Sequence, residues 1–142
     1  MRKFMTMLVV AGATLLVVPA AQAQKVPNRA RDMMKELNAG GLDGKALDAA
    51  IKRAEAHPLG SEKNPVRENM PEGEYAYLGR LRCADGASPK VEREGNVGEG
   101  VYRNIVDLFD VTCPGQAAVK IYMDMYHDGP ETRPVPGFTL AD

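Results

Sequence analysis

Apolar residues recur with helical spacing in two short segments near the start of the chain, after candidate N-caps at Asn28 and Asp43. The first segment places these residues on one helix face: Ala30, Met33, Met34 and Leu37. The second segment does the same with Leu47, Ala50, Ile51 and Ala54. Gly40-Gly41 and His57-Pro58 are typical helix stops, so the pattern predicts a short helical hairpin.

From residue 74 onward the apolar period changes to two, which is typical of half-buried strands. The pattern predicts strong strands over 75–83, 101–112 and 119–126, and a weak, highly charged strand over 90–94 that suits a sheet edge. The glycine-rich segment 95–100 is predicted to be a loop. In the strong strands the odd-numbered positions are the more apolar, so we expect this face of the sheet to meet the helical hairpin.

Proline and glycine separate these elements. Residues 58–74 are expected to form an ordered loop with a brief extended piece at 64–67. Residues 128–142 hold three prolines and are predicted to form an extended C-terminal tail, with Phe138 as its candidate anchor. The sequence therefore predicts a single α+β domain over 24–127, in which an N-terminal helical hairpin packs on a three- to four-stranded antiparallel sheet.

The first 23 residues carry the pattern of a secretory signal peptide. Arg2 and Lys3 form a basic start, residues 4–18 are mostly apolar, and Ala21-Gln22-Ala23 is a small-x-small cleavage site. The apolar run of about 15 residues is shorter than the ~20 that a transmembrane helix needs, which favours a cleaved signal over a membrane anchor. We therefore expect cleavage after Ala23, a periplasmic or secreted protein, and no membrane span in the remaining chain.

The two cysteines are predicted to form a disulfide, because an exported protein folds in an oxidising compartment. Cys83 and Cys113 lack the Cys-x-x-Cys spacing of a redox or metal pair. A bridge that closes about 30 residues contributes on the order of 3 to 4 kcal/mol to stability. Both cysteines fall at the same end of their predicted strands, so the bridge either joins loops there or makes 75–83 and 101–112 direct neighbours.

The charge balance argues against a nucleic-acid partner. The chain has 18 basic and 19 acidic residues, and Arg2 and Lys3 are the only charged residues before residue 24, so the net charge of the remainder is −3. Residues 24–57 carry +2 of this and the later residues −5. A nucleic-acid binder needs a concentrated basic stripe to displace counterions from phosphates, and none is present.

A second, more polar sheet face is predicted at the even-numbered positions of the strands. These residues would share it: Arg80, Arg82, Tyr102, Asp110, Tyr122, Asp124 and Tyr126. Tyrosine mixed with arginine and aspartate is typical of protein contact surfaces, although a solvated face with cross-strand Arg–Asp pairs has the same composition. The leading hypothesis is therefore a non-catalytic binding or accessory protein, with another envelope or extracellular protein as its partner.

A run of soft ligands supports an alternative function. Met123, Met125 and His127 alternate along one predicted strand, and thioethers with imidazole favour Cu(I). Residues two apart on a strand lie ~7 Å apart, so one ion would need a bend or a further ligand, and methionines on an apolar face are also ordinary core residues. The alternative is a periplasmic copper-handling protein.

Nucleophilic catalysis has little support in the sequence. After residue 23 the chain has two serines, Ser61 and Ser88, without a Gly-x-Ser-x-Gly motif, and its cysteines are expected to be oxidised. His57 lies at a predicted helix end, where a cation complements the helix dipole. We therefore assign no catalytic residue and no cofactor.

An enzyme of unrecognised type is the third hypothesis, built on Asp107, Asp124 and His127. Asp107 has core parity between two apolar neighbours. Either a bulge shifts its register, or it is a partly buried carboxylate that needs a partner such as Arg103 or a loop amide.

Overall fold

The computed structural model describes residues 27–37 and 39–141. The predicted signal peptide, residues 1–23, lies outside this range. The described elements are α1 (Arg29–Glu36), α2 (Gly44–Ala54), β1 (Val66–Arg67), α3 (Met70–Arg80), β2 (Leu81–Arg82), β3 (Lys90–Glu99), β4 (Ile105–Thr112), β5 (Val119–Asp124) and β6 (Thr139–Leu140). None of the helices in this part of the chain is long and apolar enough to cross a membrane.

The main sheet has four strands in the order β1-β5-β4-β3. β3, β4 and β5 run antiparallel, and the short β1 lies parallel to β5, with Val66 beside Met123. β2 and β6 form a separate antiparallel pair. The predicted α+β class is confirmed, and the parallel β1 makes the sheet mixed where an entirely antiparallel one was expected.

The largest correction concerns residues 70–82. The strand predicted over 75–83 is wrong. Residues 70–80 form the helix α3, and Pro71 lies in its first turn, where proline is favoured. Only Leu81 and Arg82 are extended. The predicted loop over 58–74 consequently ends early, although its extended piece is present as β1. The buried face of α3 consists of Glu74, Tyr77 and Leu78, and Leu81 continues it.

The charged edge strand is longer than predicted. β3 continues to Glu99 through the expected loop, with register shifts between Arg93 and Gly95 and between Asn96 and Glu99. Bulges of this kind admit an extra residue and keep the ladder paired, and the left-handed φ angles of Gly95 and Gly98, 131° and 96°, are available to glycine. The strand predicted from residue 101 starts only at Ile105, after a turn at 100–104.

The core lies on the odd-numbered face of the sheet, as expected from parity, but the helix that covers it is α3. Tyr77, Leu78 and Leu81 from the α3 segment cluster with these sheet residues: Val66, Phe109, Val111, Ile121 and Met123. Tyr75 adds an edge-to-face contact with Phe109, at 5.8 Å between ring centroids. α3 therefore occupies the position that the sequence pattern gave to the N-terminal helices.

The two N-terminal helices differ in how they pack. α2 buries Ala50 and Ala54 against Tyr102, as its apolar stripe predicts. α1 begins at the predicted N-cap, where Asn28 accepts a hydrogen bond from the Arg31 amide at 2.8 Å. Its apolar stripe is only partly covered: Ala30 and Met34 are half-buried, whereas Met33 and Leu37 are 60% and 70% exposed.

The disulfide joins Cys83 to Cys113 with 5.8 Å between their Cα atoms, as predicted. Cys83 directly follows β2 and Cys113 directly follows β4, so the bridge links loops at strand ends rather than two neighbouring strands. The C-terminal segment packs close by, because Phe138 is buried in the same core cluster and β6 pairs with β2. The candidate anchor of the tail is thus a core residue.

Candidate functional site

Apart from Glu131, which pairs with Arg67 and Arg133, five carboxyl and imidazole side chains are buried around α3, the sheet and the segment after β5 among the described residues. They are Glu68, Glu74, Asp107, Asp124 and His127, and none is more than 7% exposed. Three of them, Asp107, Asp124 and His127, were singled out from the sequence as candidates for chemistry. We call these five residues the buried ionisable cluster.

Asp107 is held by an arginine on the neighbouring strand. Arg93 Nε donates a 3.0 Å hydrogen bond to Asp107 Oδ2, and Arg93 Nη2 donates a 2.8 Å hydrogen bond to Oδ1. The Asp107 side chain has core parity as predicted, but its partner is Arg93 in β3, and the suggested partner Arg103 is wrong. Arg103 lies instead in the turn before β4, with a φ of 63°.

Asp124 accepts hydrogen bonds on both of its oxygens. Asn104 Nδ2 donates to both, at 3.2 and 3.1 Å, and the Tyr126 amide donates to Oδ1 at 3.0 Å. His127 Nε2 lies 3.3 Å from Asp124 Oδ2 without hydrogen-bond geometry, and the imidazole contacts the Tyr102 ring edge-on. Strand parity predicts opposite faces for Asp124 and His127, but β5 ends at Asp124, so the alternation does not extend to residue 127.

Glu68 and Glu74 are carboxylic acids that burial favours in the neutral form. Burial raises the pKa of Glu68 to about 7, opposed by a hydrogen bond from the Glu131 amide. Burial, together with the negative charge of Asp107, raises the pKa of Glu74 to about 8. Glu74 Oε1 has no hydrogen-bond partner. An unsatisfied carboxylate would be costly here, which is the physical reason for retaining the proton.

The buried ionisable cluster does not present a reacting group to solvent. A general acid or base must approach within hydrogen-bond distance of its substrate, directly or through one water. Side chains at most 7% exposed can do this only if the surrounding fold opens. Their hydrogen bonds instead join neighbouring parts of the backbone: Asp107 to β3, Asp124 to Asn104 before β4, and Glu68 to Glu131. We therefore interpret the cluster as part of the framework.

An open cleft lies along α2. It has a volume of about 470 Å³, which falls in the ~300–1,000 Å³ range of small-molecule sites. We call it the α2 cleft, and its lining residues are Ala50, Arg53, Ala54, His57, Lys63 and Val101. The two alanines are buried against Tyr102 and form the floor, while Val101 is 39% exposed and supplies apolar surface at the side.

The basic side chains of the α2 cleft have no acidic partners in the part of the chain that the structure describes. Among the described residues, Arg53, His57 and Lys63 have exposed side chains that take part in no hydrogen bond or ion pair. The acidic neighbour Glu55 is already occupied, because its carboxylate accepts hydrogen bonds from Arg67 at 3.1 Å and from Arg133 at 2.6 and 3.0 Å. The cleft is therefore a locally basic site in an acidic protein.

The seven residues predicted to share the even sheet face are not on one exposed surface. Tyr102, Asp124 and Tyr126 are buried. Arg80 and Arg82 belong to the α3 and β2 segment, which packs on the odd face, where they hydrogen-bond to backbone carbonyls. Only two of the seven are partly exposed on the even face: Asp110, which pairs with Lys120 at 3.1 Å, and Tyr122.

The three residues predicted to bind copper have different surroundings. Met123 is fully buried in the apolar core, and Met125 is half-buried beyond the end of β5. His127 lies beside Asp124 and Tyr102. Within the described ranges 27–37 and 39–141, no group of three or more His, Cys, Asp or Glu side chains is arranged to hold a metal ion.

Comparison with known proteins gives no relative for this chain: no protein-family model, curated protein or solved structure matches it. We therefore infer function from the residues and their geometry alone.

The α2 cleft is the site that sequence reasoning missed. His57 was noticed only as a cation at a helix end. Lys63 and Val101 are 6 and 44 positions further along the chain, and no local pattern indicates that they line one cleft with Arg53. The one available signal was the +2 charge of residues 24–57 in a chain that is otherwise acidic.

Proposed function

We propose that the protein is an exported, non-catalytic binding protein that takes its ligand in the α2 cleft. One observation carries this proposal: the residues of the buried ionisable cluster are inaccessible, whereas exposed basic side chains without ion-pair partners among the described residues line an open cleft. Binding requires accessible, unsatisfied groups, and catalysis requires accessible reactive ones. The α2 cleft meets the first condition, and the lining residues that the structure describes include no serine, cysteine or carboxylate beside His57 to complete a catalytic arrangement.

Two features support export. The pattern of residues 1–23 fits a signal peptide, with cleavage after Ala23. The Cys83–Cys113 disulfide fits an oxidising compartment, since disulfides are rare in reducing cytosol. Expression of the full chain in a Gram-negative bacterium tests this directly. We expect the protein in the periplasmic fraction with Gln24 at its N-terminus, and an uncleaved chain in the cytosol would refute export.

Binding and catalysis can be separated in one experiment. The exported protein, with its disulfide formed, is mixed with panels of anionic, neutral and cationic small molecules, and both protein and ligand signals are followed by NMR. We expect saturable shifts of the amides around the α2 cleft for some anions, and every bound compound should remain chemically unchanged over hours.

Conversion of a bound compound would overturn the non-catalytic part of the proposal. The matched test is Asp124→Asn, because Asp124 is the hydrogen-bonded centre of the buried ionisable cluster. Turnover by the wild type that disappears in Asp124→Asn, with ligand binding retained, would identify an enzyme. Absence of any saturable ligand across the three panels would reject the binding function itself.

A further inference from the structure

The α2 cleft combines two kinds of surface that together restrict its ligand. Arg53 and Lys63 provide fixed positive charge that no acidic side chain among the described residues neutralises. Val101 provides exposed apolar surface beside them, above a floor of two alanines. A ligand that satisfies both must carry a negative charge at one end and an apolar group at the other.

Resting on the proposed binding function, we propose that the α2 cleft binds a small amphipathic carboxylate, with the carboxylate at Arg53 and Lys63 and a short alkyl chain against Val101. Arginine presents planar paired donors that match a carboxylate, and lysine adds a point charge. A neutral ligand would leave the two cations unpaired, and a cationic ligand would be repelled. A simple inorganic anion would leave Val101 exposed to water.

The positive charges of Arg53 and Lys63 have one alternative explanation that involves no ligand. The experiment must distinguish it from binding. Arg53 lies in the last turn of α2, where a cation stabilises a helix by interacting with its dipole. This explanation does not apply to Lys63, which lies beyond the end of α2 in a turn. It also applies equally to Lys52, which precedes Arg53 in α2 but does not line the cleft. Lys52→Gln is therefore the matched control.

Octanoate is the probe, and isothermal titration calorimetry of the disulfide-bonded exported protein is the measurement. We expect saturable octanoate binding that weakens with added salt because surface charges are screened. Octanol tests the need for charge, octylammonium tests its sign, and acetate tests the need for the chain. Each of the three should bind at least tenfold more weakly than octanoate.

Variants assign the binding to the cleft. Arg53→Gln and Lys63→Gln should each weaken octanoate about tenfold, which is the usual effect of losing a charge-assisted hydrogen bond. Val101→Thr keeps the side-chain shape but replaces a methyl with a hydroxyl, and should weaken octanoate about three- to fourfold. Lys52→Gln should leave the affinity unchanged. Thermal melts accompany each variant, so that unfolding is not mistaken for lost binding.

Three results would overturn the ligand assignment. They are no saturable octanoate binding, equal binding of octanol or octylammonium, and an affinity that neither Arg53→Gln nor Lys63→Gln changes. If Arg53→Gln lowers the melting temperature but leaves octanoate affinity unchanged, the helix-dipole explanation holds for Arg53. The effect of Lys63→Gln on octanoate affinity then decides the ligand assignment. If the wider panels yield a different ligand at another surface, binding as a function stands while the α2 cleft assignment fails.

Discussion

Arg93 and Asp107 form a two-point ion pair across the β3–β4 ladder, in which the carboxylate is buried and the arginine side chain is 43% exposed. The pair lies beside Glu74 of α3, whose pKa the Asp107 charge raises and the Arg93 charge lowers. One surface cation therefore compensates a buried negative charge at the boundary between α3 and the sheet. This arrangement makes Arg93 more important for stability than its exposure suggests.

We predict that Arg93→Gln destabilises the protein by about 1–3 kcal/mol, because it leaves a buried carboxylate with reduced hydrogen bonding. The measurement is the free energy of unfolding from urea titration. The control is Lys120→Gln, which removes the exposed cation paired with Asp110 and should leave the unfolding midpoint unchanged. Equal effects of the two substitutions would show that Asp107 is not dependent on Arg93.

The protein should become less stable as the pH rises from about 4.5 to about 8. Glu68 and Glu74 have pKa values of about 7 and about 8 in the folded state, against an ordinary value of 4.5. Between these limits the folded chain holds protons that the unfolded chain has released, so each increase in pH favours unfolding. We expect the melting temperature to fall by on the order of 10 °C or more between pH 5.5 and pH 8.5.

Glu74→Gln should remove much of this pH dependence, because the amide keeps the shape of the side chain but cannot ionise. The matched control is Glu72→Gln, an exposed position in the first turn of the same helix, which should keep the wild-type slope. Carboxyl groups whose pKa is lowered, such as Glu55 beside Arg133, are ionised across this range and do not contribute to the slope. A melting temperature that is flat or rises with pH would contradict the burial of Glu74.

Reduction of the disulfide should lower stability by about 3–4 kcal/mol, the value expected when a cross-link between residues 30 apart no longer restricts the unfolded chain. The measurement compares urea unfolding of the oxidised wild type with that of the Cys83→Ser, Cys113→Ser double variant. Because the bridge adjoins β2, amides of the β2–β6 pair should also lose protection from hydrogen exchange. Unchanged stability would mean that the loop ends stay together without the bond.

Gly41→Ala should destabilise the protein by about 1–3 kcal/mol through overpacking. A Cβ atom at this position would overlap Asn104 Oδ1 and lie 2.7 Å from the Tyr102 carbonyl oxygen. Asn104 would have to move, and its two hydrogen bonds to Asp124 would be strained or lost. Gly129→Ala is the control, since a Cβ there meets no atom within 4 Å. If Gly41→Ala is as stable as the wild type, Gly41 does not pack against Asn104 and Tyr102 as described.

The sequence predicted the fold class, the disulfide and the start of α1, because each depends on local chemistry. It failed at α3 for a specific reason: the buried positions Glu74, Tyr77, Leu78 and Leu81 have helical spacing, but the first is a carboxylic acid and was counted as polar. When Glu74 is left out of the buried set, Tyr75 and Tyr77 suggest the alternation of a strand. Glu74 can be a core residue because its buried surroundings keep the carboxyl group neutral, and these surroundings exist only in the folded protein.

The candidate site was less predictable than the fold, because its parts come together only in three dimensions. The even-face hypothesis assumed that alternation continued past the ends of strands, yet Tyr102 precedes β4 and Tyr126 follows β5. The α2 cleft joins a helix to Lys63 and Val101, which share no periodic pattern with it. Periodicity predicts which way a side chain points within an element, but not which loops meet around it.

Gly79→Ala distinguishes the observed helix from the strand that the alternating pattern suggests. Gly79 lies in the last turn of α3, and a Cβ there meets no atom within 4 Å. Alanine restricts the unfolded chain and favours helix, so we expect a gain of about 0.5–1 kcal/mol in the free energy of unfolding. In a strand paired on both sides, a new methyl group would contact its neighbours. A loss of stability, measured by urea titration, would therefore contradict α3.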